Sequence, residues 1–112
     1  MRHTYAIEKL SAAKSILSSR KGDIRSRLLD AYLKFHTLSE DDFPEDLKDD
    51  WLYVHNGLTS EKPTIDSQGE VISGKLQNTL KIIDEDICNK IVSRILFLET
   101  QLRHLRKTST NR

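Results

Sequence analysis

The chain has one cysteine, Cys88, in 112 residues. No disulfide can form within it, so nothing in its chemistry calls for an oxidising compartment. It has no apolar run near the ~18 residues of a membrane-spanning helix. Its start, Met1-Arg2-His3-Thr4-Tyr5, lacks the unbroken apolar stretch of a secretory signal. These absences lead to the expectation of a cytoplasmic protein with no membrane partner. Excess charge of one sign is also missing, with a formal net charge of +1. There is thus no overall attraction to nucleic acid or to anionic lipid. Glycine is scarce, at four residues, and no Gly-rich phosphate cradle can be built from them.

What the chain does have is charge, at 31%, against 37% hydrophobic residues. That balance describes one domain with a small core and much solvated surface. The strongest pattern lies near the end. Cys88, Ile91, Ile95, Leu98, Leu102 and Leu105 recur at alternating spacings of three and four. This is the apolar seam of a long helix over residues 84–107. Ile87, Val92 and Leu96 form a second stripe that widens the buried face near the helix start. Asp84 is placed to cap it, with Glu85 and Asp86 in its first turn.

Four further helices are read upstream. Ala6, Ile7, Leu10, Ala13, Ile16 and Leu17 make one stripe over residues 4–20, with Thr4 as the cap. Gly22 breaks the pattern and Asp23 caps a second helix over residues 23–37, so the two form a hairpin unless they join as one kinked helix. Pro44 opens a third helix, with Leu47, Trp51, Val54, His55 and Leu58 on its stripe. Residues 60–72 are the least helical part. There Thr64-Ile65 and Val71-Ile72 flank turn residues and suit either a small hairpin or a mobile loop. Ser73 caps a short fourth helix holding Leu76, Leu80 and Ile83. The expected fold is all-α: a compact bundle of four to five helices with one irregular loop or hairpin near residues 60–72. It forms a single domain over residues 1–107, with residues 108–112 as a frayed tail.

The chemical constellations are weak. Seven acids fall between positions 40 and 50: Glu40, Asp41, Asp42, Glu45, Asp46, Asp49 and Asp50. A calcium loop needs a central glycine, and here Phe43 and Pro44 stand in the middle. A solvated helix start, with acids at the positive end of the dipole, accounts for them; a docking patch for a basic partner is the alternative. Basic residues gather at 20–27 (Arg20, Lys21, Arg25, Arg27) and at 103–112 (Arg103, Arg106, Lys107, Arg112). No reading-helix signature or stacking aromatics accompany them. The histidines His3, His36, His55 and His104 have no metal-ligand spacing, so no metal or other cofactor is expected. Arg94 and His104, ten apart, do not match the Arg-x(4–6)-His spacing of helical ribonuclease toxins. Cys88 lies on the helix seam, the place of a small buried apolar residue rather than a nucleophile.

No catalytic residue emerges, and the chain reads as a non-enzyme. The expected function is a small cytoplasmic helical protein–protein interaction module or accessory subunit. It self-associates as a homodimer and joins a larger complex. Size and composition alone lie behind a bacterial setting, such as a toxin–antitoxin or defence complex. The expected interaction surface comprises Trp51, Leu52 and Tyr53 on the third helix with Leu98, Leu102, Leu105, Arg103 and Arg106 on the fifth. Leu102 and Leu105 would need a second copy to cover them unless the first helix does so. The alternative is a nucleic-acid-associated protein using the two basic clusters. A third reading is an enzyme with an acidic site on the third helix.

Overall fold

A computed structural model describes residues 3–19 and 22–110, apart from the side chains of Ile72 and residues 106–110. Its elements are α1 (Thr4–Ser18), α2 (Ile24–Phe35), α3 (Lys48–Leu58), β1 (Thr64–Ile65), β2 (Val71–Ser73), α4 (Lys75–Ile82) and α5 (Glu85–Thr110). Two 3₁₀ turns, Glu45–Leu47 and before it Glu40–Asp42, lead into α3. The fold is an all-α bundle, as the periodicities predict.

The helix starts follow local chemistry. Asp23 accepts from the Ser26 amide at 2.8 Å and Asp84 from the Ile87 amide at 2.8 Å, as N-caps do. Gly22 adopts φ +77°, the left-handed region that lets the chain turn sharply between α1 and α2. The two helices are antiparallel: Tyr5 near the start of α1 bonds Thr37 just past α2 at 2.6 Å, and Arg27 of α2 reaches the Leu17 carbonyl at the end of α1. They therefore form a hairpin and not one kinked helix.

Two expected caps are different. His3, not Thr4, is the N-cap of α1 and gives it no side-chain bond; its ring instead meets the Asp42 carbonyl at 3.0 Å. Ser73 belongs to β2, and Gly74 precedes α4. At the other end of the chain, α5 continues to Thr110, past the boundary expected at Lys107.

The stretch over residues 60–72 forms the hairpin. Thr64 pairs with Ser73 and Ile65 with Val71. Asp66 organises its turn by accepting from the Gln68 and Glu70 amides at 2.9 Å, and Gly69 takes φ +82°. Two short strands are marginal alone, so docking matters. The Asn78 amide nitrogen of α4 donates to the Lys62 carbonyl at 2.8 Å and to the Thr64 hydroxyl at 2.9 Å, while its oxygen accepts from Ser73 at 2.7 Å. Buried Thr79 accepts from the Glu61 amide at 3.0 Å.

One continuous core joins all five helices. Leu10, Ala13 and Leu17 of α1, Leu28, Ala31 and Phe35 of α2, Trp51 and Val54 of α3, Leu80 of α4, and Cys88, Ile91, Ile95, Leu98 and Leu102 of α5 are among its members. Ile95 and Leu98 have no exposure at all. From Cys88 to Leu102 the seam of α5 is thus covered inside a single chain, with α1 packed against it.

Candidate functional site

The seam was the main ground for expecting exposed apolar surface on α5, and burial removes most of it. Leu98 and Leu102 are core residues, because α1 packs over them. Trp51 is also interior. It stacks on Phe43 with ring centroids 5.1 Å apart and meets Phe35 edge-on at 5.8 Å. Trp51 is turned toward Phe35 of α2 and Phe43 of the segment before α3, and its 2% exposure leaves it no surface for a partner. Arg103 is exposed but engaged by Glu99. Leu105 keeps 36% exposure, and the side chain of Arg106 lies outside the described residues.

A different face remains open. Tyr53 of α3 is 38% exposed, and on α5 Ile87 is 38% and Phe97 44% exposed. Together with Leu52 they line two adjoining hollows between α3 and α5 that share Tyr53. One is bounded by Leu52, Tyr53, Asn56, Gly57, Ile87 and Ile91. The other, of about 630 Å³, is bounded by Tyr53, Asn89, Lys90, Ser93, Arg94 and Phe97. The helices approach closely here because Gly57 has no side chain; a Cβ at that position would lie 3.1 Å from Ile91 Cδ1. The glycine that weakens α3 as a helix therefore sets its distance from α5.

Charge organises this face. The Arg94 guanidinium lies 4.5 Å from the centre of the Tyr53 ring and bonds Asp50 Oδ1 at 2.8 Å. The cation–π contact and the ion pair together hold the tyrosine ring against α5. Leu52 and Tyr53 were legible in the sequence as residues off the α3 stripe. Phe97 was missed, although an aromatic residue on the polar side of a helix is itself a signal. Ile87 was expected in the second buried stripe, with Val92 and Leu96. Those two are partly buried, but Ile87 opens onto the hollow between α3 and α5.

Several members of the basic and acidic clusters are engaged within the fold. Arg25 donates to the Leu80 carbonyl at 2.8 Å and to the Ile83 carbonyl at 2.5 Å, closing the C-terminal end of α4. Arg27 donates to the Leu17 carbonyl at 3.0 Å, doing the same for α1. Arg20 and Lys21 lie outside the described residues, as do the side chains of Lys107 and Arg112. Among the acids, Asp42 accepts from the Ser39 amide at 2.9 Å, Glu45 pairs with Lys48 at 3.3 Å, and Asp50 holds Arg94. They point to different partners rather than toward a common centre. Among the described residues, no group of three or more His, Cys, Asp or Glu side chains is placed to hold a metal ion, and no helix is long and apolar enough to cross a membrane.

Cys88 is fully buried. Burial pushes its thiol up; the charge of Arg25 opposes this and Asp84 and Glu85 add to it. A protonated, enclosed thiol is a poor nucleophile.

No protein-family model, curated protein or solved structure matches this chain.

Proposed function

We propose that this protein is a small helical protein–protein interaction module, an accessory subunit that docks a protein partner on its α3–α5 face. One observation carries the reading. Tyr53, Ile87 and Phe97, three large apolar side chains from two helices, stay exposed on one face around adjoining hollows while the apolar seam of α5 from Cys88 to Leu102 is buried. Aromatic groups beside a charged rim are the usual composition of a binding surface. The engagement of Arg25, Arg27 and Arg103 by carbonyls and Glu99 further favours a protein partner over nucleic acid. The reading sets the protein in the cytoplasm, where its single buried thiol needs no oxidised partner.

A photo-cross-linking residue at position 97, compared with one at the exposed Ser15 of α1, tests this in the cells that make the protein. Discrete protein adducts at 97 that are absent at 15 are expected. Identical adducts at both positions, or none at 97, would remove the reading.

A further inference from the structure

The exposed side of α5 carries a second helical stripe, Asp86, Lys90, Ser93, Phe97, Thr100 and His104, spaced alternately by four and three. That is the spacing of a helix-pairing seam, here directed away from the core. Its most prominent side chain, Phe97, stands one turn from its smallest, Ser93. Ser93 lies in the hollow walled by Tyr53, Lys90, Arg94 and, on its far side, Phe97 of the same chain. The same surface therefore holds a projecting ring and a recess for a ring, placed symmetrically about position 95.

We propose that this stripe binds a second copy of the chain, with the two α5 helices antiparallel about a two-fold axis near position 95. This rests on the interaction reading above and names its partner. One two-fold operation sets Phe97 of each copy over Ser93 of the other, so a single chemistry completes both recesses at once. The charges select the same direction. The stripe starts at Asp86, flanked by Glu85, and ends at His104, beside the Arg103–Glu99–Lys14 group, where two cations share one carboxylate and leave a net positive charge. Antiparallel pairing lays the acidic start of one helix on the basic end of the other and opposes their dipoles. Parallel pairing would set like on like and Phe97 on Phe97. Lys90 falls opposite Thr100, with its stem within reach of the incoming Phe97 ring.

Sedimentation equilibrium of the purified full chain, from about 1 µM to about 1 mM, reads the pairing. The wild type should pass from monomer to dimer across that range. Phe97→Ser removes the ring, and Ser93→Phe fills the recess. Each should weaken the dimer about tenfold or more. The double variant Ser93→Phe/Phe97→Ser exchanges ring and recess on both copies, and should return to within about threefold of wild type. All three alter exposed side chains, and circular dichroism checks that each is folded. A spin label on Asp86→Cys should report a pair separation near 27 Å, from 18 residues at about 1.5 Å each. A parallel pair would place the labels much closer.

A chain that stays monomeric, a dimer unaffected by Phe97→Ser, a double variant no tighter than the singles, or a short label distance would each overturn the pairing. Photo-adducts of other proteins at position 97, found with a monomeric chain, would leave the interaction reading in place. Loss of both would end it.

Discussion

Glu99 of α5 accepts a hydrogen bond at 3.0 Å from the Ser11 hydroxyl of α1, 88 residues earlier in the chain, and the carboxylate has no exposure to water. Arg103, one turn further along α5, bonds the same oxygen and also donates to Ser11 Oγ at 2.9 Å. Lys14 stands 3.7 Å from the other oxygen, which has no hydrogen bond of its own. A buried carboxylate meets these partners at one register of α1 against α5 only. Sliding either helix by a turn would strand the charge in the core. The group thus gives specificity to a helix pair whose apolar contacts alone would tolerate several alignments.

Arg103→Ala should lower stability by about 2–3 kcal/mol, because it leaves Glu99 enclosed with fewer compensating bonds. Replacing Glu99 and Arg103 together by Met should recover most of that loss. Urea midpoints of the two variants check it; equal destabilisation by both would show that the pair does not act as a unit.

The same carboxylate makes stability depend on acid. Burial alone would raise its pKa, but the bonds from Arg103 and Ser11 and the charges of Arg103 and Lys14 outweigh that and hold it below the ordinary glutamate range. The folded value lies below the unfolded one, so the contribution is fully present above the ordinary value of about 4.3 and is lost as pH falls through the folded value. Below about pH 4.5 the wild type should therefore lose stability more steeply than Glu99→Gln. Parallel acid profiles of the unfolding midpoint would show that Glu99 is not the responsible group.

Arg25 closes α4 with two bonds to carbonyls that have no helical partner. Arg25→Ala should cost about 1–3 kcal/mol and speed amide exchange in α4 before α5. Arg25→Lys should restore only part, since one ammonium lacks the fork that reaches both oxygens. Full rescue by lysine would reduce the role to charge alone.

Asn78 ties the hairpin to α4 through three bonds. Asn78→Ala should speed exchange over residues 61–73 while leaving Ile91–Leu102 amides protected, because the hairpin adds little to the core. Matching losses in both regions would show that the hairpin is part of the cooperative unit.

Native Cys88 should react with iodoacetamide only as fast as the protein unfolds, given its burial and raised pKa. A rate set by reagent and independent of added urea would place the thiol at the surface.

Local rules account for much of this molecule. Asp23 and Asp84 cap helices because a side-chain oxygen beside a free amide acts over one turn, and that is written in neighbouring residues. The seam of α5 and the stripes of α1 and α3 are legible for the same reason: period 3.6 makes one face apolar whatever lies opposite. Periodicity cannot say what lies opposite. That α1 covers Leu102, that Trp51 turns inward to Phe43 and Phe35, and that Phe97 and Ile87 stay in water depended on how five helices share one core. Arg25, Arg27 and Arg103 read as a basic surface in sequence and became internal partners only when α4, α1 and Glu99 came within bonding distance. The Arg94–Asp50 pair spans 44 residues, and no local signal marks it. Short-range chemistry determined the helices; the choice of which faces meet is a long-range competition for burial, and the tertiary structure alone decided it.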